Sequence, residues 1–138
     1  MTLIVPDQGE QILLDAGLGK TAATALTLRL YSNNQSPMHG DTEADYTEVA
    51  GGGYVPIPLT AGDWTTTPGS PTSSVQPLQT FTFSGPTNAP GTVYGYYITN
   101  AAGKLIYAEL LAAPFTPANN LDTVAVTPTI TLGSISGD

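Results

Sequence analysis

The hydrophobic period of the chain changes near Gly19. Before it, Ile12, Leu13 and Ala16 recur at helical spacing behind Asp7 and Glu10, the pattern of a short amphipathic helix. Beyond it, apolar and polar residues alternate. In "ALTLRLYS", Leu26, Leu28 and Leu30 fall on one face and Thr27, Arg29 and Tyr31 on the other, which predicts a half-buried strand. "NNQSPMHGD" is a loop by its turn residues. "YTEVAGGGYVPIPL" reads as two strand segments around Gly51, Gly52 and Gly53, where a bulge is expected. In the second segment Val55, Ile57 and Leu59 share a face and Pro56 and Pro58 take the alternate positions. Prolines two apart remove donors from one edge, so this strand pairs on its other side only.

The Thr/Ser/Pro/Gly-rich stretch from Thr60 to Gln79 reads as a long connection held to the body by Trp64, Val75 and Leu78. "TFTFSG" points Phe81 and Phe83 inward. "TVYGYYITNAAGKLIYAELL" is a hairpin, two alternating runs around Asn100–Gly103, with Gly103 available for positive φ. "TVAVTPTITL" reads as one strand with Val124, Val126, Ile130 and Leu132 on one face. Seven or eight short strands and one helix predict a mainly β protein: a single antiparallel β-sandwich, jelly-roll-like, with a short N-terminal helix. A partly open barrel is the second architecture. The expected domain is 1–138, with 1–6 as an N-terminal arm and 133–138 as a tail.

Gly19-Lys20-Thr21 raises the question of a phosphate loop. That motif needs a glycine five residues before the Gly-Lys pair, and Leu14 stands there; the helix also precedes the glycines, where a phosphate loop has it afterwards. The stretch reads better as a helix end. Asp7 as N-cap with Glu10 three residues on has capping-box spacing, and Gly17 suits a left-handed C′ position with Leu18 packing back on Leu13.

Hydrophobic residues make up 41% of the 138, enough for a packed core, while only 10% are charged against an ordinary quarter. Threonine, serine, asparagine and glutamine carry the polarity. Lys20, Arg29 and Lys104 face 11 carboxylates, a net charge of −8. This argues against nucleic-acid and anionic-membrane partners, which need clustered cations. Eight of the 11 acids lie in the first 63 residues, so a basic protein surface would meet that half. The absence of cysteine rules out disulfides, zinc ribbons and thiol catalysis. "MTLIVPDQGE" lacks the basic start and apolar length of a signal peptide. Synthesis in the cytoplasm is the expectation.

No set of residues assembles a reaction. His39 is the single histidine and sits in a loop beside Gly40. "GSISGD" has the wrong spacing for a nucleophile elbow and reads as a frayed tail. Asp41, Glu43 and Asp45 alternate like the start of a calcium loop, but Tyr46 and Gly52 stand where an EF-hand needs glycine and glutamate. They read as a solvated acidic approach to a strand, with an oxygen-ligand calcium site as the alternative. Neither a metal nor a cofactor is expected. Tyr94, Tyr96 and Tyr97, with Trp64, offer an aromatic surface suited to a protein interface or to sugar rings; plain cross-strand packing explains the tyrosines equally. The apolar arm Leu3, Ile4 and Val5 either pairs within its own subunit or adds a strand to a neighbour.

The blocks "VPDQGEQILLDAGLG", "LTLRLYSN", "DYTEVAGGGYVPIPL" and "GTVYGYYITNAAGKLIYAELL", with "TPTITL" after them, resemble small virion proteins of tailed bacteriophages. The ones with assigned roles are head decoration, or cement, proteins. The resemblance spans nearly the whole chain and centres on Gly52-Gly53-Tyr54 and on Tyr94–Tyr97. It implies a non-enzymatic part of the virion on the outer surface of the capsid, partnered with the major capsid protein and commonly trimeric. A tail or fibre component and a carbohydrate-binding β-sandwich module are the alternatives.

Overall fold

The structure is a computed structural model and describes residues 3–132; the expected 133–138 tail lies outside them. Its elements are β1 (Leu3–Ile4), α1 (Asp7–Gly17), β2 (Leu26–Tyr31), β3 (Ile57–Leu59), β4 (Thr65–Thr67), β5 (Thr72–Val75), β6 (Gln79–Thr82), β7 (Val93–Thr99), β8 (Leu105–Phe115), β9 (Thr123–Val126) and β10 (Thr129–Leu132). Three antiparallel sheets pack together, with strand orders β1-β8-β7-β2-β3, β10-β5-β4 and β6-β9. The expected β-sandwich with a short N-terminal helix is there, its strands divided five, three and two.

The main core lies between the five-stranded sheet and the smaller ones. Leu28, Leu30 and Ile98 from β2 and β7 meet Phe81, Phe83, Val124 and Val126 from the β6–β9 ribbon and its flank. These are the inward positions that alternation picks out. The β7–β8 hairpin turns at Asn100–Gly103 as expected, with Gly103 at φ 80°. β3 is an edge strand: it pairs with β2 alone, Pro58 opposite Thr27. Val55 is a correction, being exposed and outside β3, because the chain has not yet joined the sheet there.

The helix starts one residue earlier than its capping signal suggests. Pro6 occupies the N-cap position without a side-chain cap bond, and its carbonyl accepts from Glu10 N–H at 2.9 Å. The Asp7 N–H instead donates to the His39 carbonyl at 2.8 Å. Asp7 and Glu10 sit in the first turn, where their charge complements the helix dipole. The left-handed residue at the far end is Gly19, φ 74°. Gly17 is still helical, and Leu18 stays 80% exposed, with no packing on Leu13 to bury it.

Two other stretches fold differently from expectation. The connection after Thr60 contains a hairpin, β4 on β5 in the register Thr65↔Val75, because threonine's branched Cβ suits extended backbone. Trp64 and Val75 are half-buried, but Leu78 is 63% exposed and anchors nothing. "TVAVTPTITL" is two strands in two sheets: β9 pairs with β6 and β10 with β5. Pro128 has no N–H to continue a ladder, its carbonyl accepts from Gln76 N–H, and the chain crosses from one sheet to the other. Leu132 ends half out of the core, 47% exposed.

Gly51, Gly52 and Gly53 all have positive φ, 76°, 60° and 78°, and replace the expected bulge with a tight left-handed turn. The Gly52 carbonyl accepts from Ser84 N–H at 2.8 Å. Gly53→Val therefore destabilises the protein by roughly 1–3 kcal/mol, the cost of a β-branched residue in that region, read by urea unfolding. Leu121 shares the strained region at φ 74° and is 71% exposed, so its side chain gains little from packing. Leu121→Gly is expected to stabilise by about 0.5–1 kcal/mol as the backbone strain is relieved; an unfolding midpoint that falls would contradict it.

Candidate functional site

The outward face of β2, β7 and β8 carries a second apolar cluster: Tyr31, Tyr46, Tyr97, Leu105 and Ala108. Tyr31 comes from the face of β2 that alternation marks as polar, yet it is fully buried. It reaches across the sheet over Gly95, where a Cβ would collide with the Tyr31 ring and the Glu109 carbonyl. Its ring meets Tyr46 edge-on at 4.8 Å, and Tyr46 stacks on Tyr97 at 5.4 Å, both favourable aromatic geometries.

The segment between β2 and β3 folds over this face and is tied there by hydrogen bonds. The Tyr31 hydroxyl donates to the Gln35 carbonyl at 3.0 Å. Asp41 is buried, and its Oδ2 accepts from Tyr46 Oη at 2.8 Å, Met38 N–H at 3.0 Å and Gln35 Nε2 at 3.1 Å. Asn33 bonds across to Asp45 O and Thr47 N. A polar loop thereby becomes a fixed layer.

Beside it, Arg29 joins Glu48 at 3.0 Å and donates to Thr99 Oγ1 through Nε. Tyr54 donates to Glu48 at 2.7 Å and accepts from Leu30 N–H at 3.1 Å, while its ring stacks on Phe81. Lys104 meets Glu43 at 3.4 Å. Burial works against the charge of Glu43, but bonds from the Gln8 amide and Leu105 N–H, with Lys104, outweigh it and hold the carboxyl below its ordinary range. Two of the three strong cations are therefore paired. Asp7, Glu10, Asp45 and Asp63 stay exposed.

The three carboxylates of the calcium reading do not converge. Asp41 points into the tyrosine layer, Glu43 toward Gln8 and Lys104, and Asp45 back to Thr42 N–H at 2.8 Å in a capping box. Nor is this a solvated approach throughout, since Asp41 is buried by the hydroxyl and amide donors that satisfy it. Among the described residues no three His, Cys, Asp or Glu side chains stand together as a metal site. His39 is exposed.

The expected interface residues fall in separate places. Tyr96 turns inward, its ring edge-on to Tyr107 at 6.0 Å and its hydroxyl on Glu109. Tyr97 lies in the outer layer under Tyr46, and Tyr94 is half-buried at its margin. The Tyr96 and Tyr97 rings are thus enclosed by their own chain, with no face left for a sugar. Trp64 is on the far side of the sandwich against the main core. Leu3 and Ile4 pair with Glu109 and Ala108 of the same chain, and Val5 is buried. Alternation missed the outer layer because its cover is a polar loop; the signal available was three tyrosines, at 31, 46 and 97, on nominally polar positions.

The chain matches no known family model, no curated protein and no solved structure. Chemically, the site is a satisfied network: each carboxylate in it already has donors, and the tyrosine hydroxyls are held away from ionisation. Burial, then the nearby carboxylates, raises Tyr31, Tyr46 and Tyr54 far above the ordinary value of 10.0. Burial and then Glu48 push Tyr97 up to about 12.

These shifts fix an alkaline limit. Below pH 10 both folded and unfolded chains keep their phenol protons. Above it the unfolded chain releases them while the folded chain does not, so stability falls as pH rises from 10, through about 12 for Tyr97. Phenolate absorbance is expected to rise steeply, together with loss of the β circular-dichroism signal. Gradual ionisation from pH 10 with the fold intact would contradict the enclosed layer.

Proposed function

We propose that the chain is a non-enzymatic structural protein of a tailed-phage virion, a decoration protein that binds the outer surface of the head and stabilises it. Its partner is the major capsid protein and its assembly a homotrimer. The observation that carries this reading is where the blocks of the resemblance fall. Gly52-Gly53-Tyr54, Tyr94–Tyr97 and the "LTLRLYS" strand meet in one framework: Tyr31 crosses Gly95, and Tyr54 bonds Leu30. The residues behind the resemblance are those that make the body rigid.

The surface supports the same reading. With Arg29 and Lys104 already paired, exposed Asp7, Glu10 and Asp45 leave the helix end of the molecule negative, suited to a basic patch on a shell. β3 is closed to further strands by Pro58, so copies crowded on a lattice do not aggregate edge to edge. A part repeated over a symmetric shell needs only weak single contacts, because valency multiplies them.

The test is binding of the purified protein to heads stripped of it, with isolated tails in parallel. Saturable binding to heads, weakened by salt and accompanied by greater heat resistance of the heads, is expected, with a trimer mass in sedimentation. Binding to tails alone would assign the chain to the tail or a fibre. Binding to neither would overturn the virion reading.

A further inference from the structure

The face of β8 that meets the main core carries Tyr107, Glu109 and Leu111 at alternate positions. A carboxylate therefore stands at an inward position, where the alternation of a strand calls for an apolar side chain. It borders a cleft of about 320 Å³ between β8 and β9. Tyr96, Glu109, Leu111 and Ala112 line one side of this cleft, and Ala125 and Val126 line the other. Ala112 and Ala125 are exposed, so the cleft is open to solvent along their flank.

Glu109 is half-buried and poorly provided for. Among the described residues its side chain accepts a single hydrogen bond, from Tyr96 Oη to Oε1 at 2.5 Å, and Oε2 is left over. The ion pairs among those residues join Arg29 to Glu48 and Lys104 to Glu43, and neither reaches Glu109. Asp41, Glu43 and Glu48, by contrast, each accept from at least two groups. Behind Tyr96, edge-on to its ring at 6.0 Å, the Tyr107 hydroxyl is buried with no hydrogen-bond partner among the described residues. Removing a carboxylate from water is costly unless charge or donors replace the water, and here one neutral hydroxyl does so. The cleft thus has a negative floor and apolar walls.

We propose that this cleft binds an alkylammonium group, the group carried by a lysine side chain or by a small primary amine. The ammonium bonds Glu109 through Oε2, and its methylene stem lies along Leu111, Ala112, Ala125 and Val126. A slender apolar stem ending in one compact charge matches such a cleft. A guanidinium suits it less, because its fork binds a carboxylate best through two parallel bonds, and Tyr96 already holds one of the two oxygens. The net charge of −8 draws cations toward the molecule. This inference is independent of the virion reading and concerns the isolated protein.

The probe is n-butylammonium, titrated into the isotope-labelled full chain and read by the amide NMR shifts of Leu111, Ala112, Ala125 and Thr127 around the cleft. Saturable shifts centred on these residues are expected. Glu109→Gln keeps an acceptor for Tyr96 but removes the charge, and is expected to weaken binding about tenfold. Asp63→Asn, which removes an exposed carboxylate before β4, is expected to leave binding unchanged. n-Butanol, with the stem but not the charge, is expected to bind about tenfold more weakly than the amine. If Glu109→Gln fails to fold, Ala112→Leu, at an exposed position on the cleft, is expected to lower the affinity by filling the space. Nα-acetyl-lysine methylamide binding at least as tightly as n-butylammonium assigns the site to the lysine of a partner protein, and weaker binding assigns it to a free amine. Shifts that do not saturate, or binding unchanged in the folded variants at 109 and 112, overturn the proposal.

Discussion

Tyr31 can lie across the central sheet only because residue 95 has no side chain. That single close approach organises the outer half of the molecule. It buries a large aromatic on a face whose sequence reads as polar, packs at an angle against the stacked rings of Tyr46 and Tyr97, and directs a hydroxyl at Gln35. The loop then closes over the rings, and Asp41 is carried inside with it. A buried carboxylate is costly unless donors surround it. Here the three donors to Asp41 come from the loop being held and from the ring being covered, so packing and hydrogen bonding reinforce each other.

The same economy explains how a chain with few charges specifies one structure. Glu48 ties the polar side of β2 through Arg29 to the glycine turn through Tyr54, and the Tyr54 ring continues into the main core on Phe81. Each ionic contact is also a link between layers. Networks of this kind specify geometry more than they add stability.

Much of the fold was legible in the alternation of residues. Leu28 and Leu30, Phe81 and Phe83, and the β7–β8 hairpin stand where a period of two places them, and Pro58 marks the edge strand. What escaped has definite causes. A pattern of two reports one buried face, and the outer face of β2 is covered by a loop rich in polar residues, so Tyr31 looked solvent-facing. The Thr/Ser-rich segment around β4 and β5 looked like a connection because its strands are polar on both sides. Pro128 did announce the break between β9 and β10, but the matched faces of Val124 and Ile130 concealed it. The candidate site fared less well. The tyrosines singled out as a surface are mostly interior, since burial of an amphipathic ring depends on what lies above it, and sequence spacing carries no such information. The cleft over Glu109 exists only through the gap between two sheets, which spacing within one strand does not report.

The pairing of β1 with β8 joins Leu3 to Glu109, and it has a consequence for the order of synthesis. β1 is synthesised about a hundred residues before its partner, which at ordinary elongation rates is a delay of roughly 5–20 s. Through that interval β1 has no β8 edge to join. A contact so distant in sequence carries a high loop-closure cost, whereas the β7–β8 hairpin it joins is local. A nascent chain of this protein carries β1 without its partner until β8 has been made.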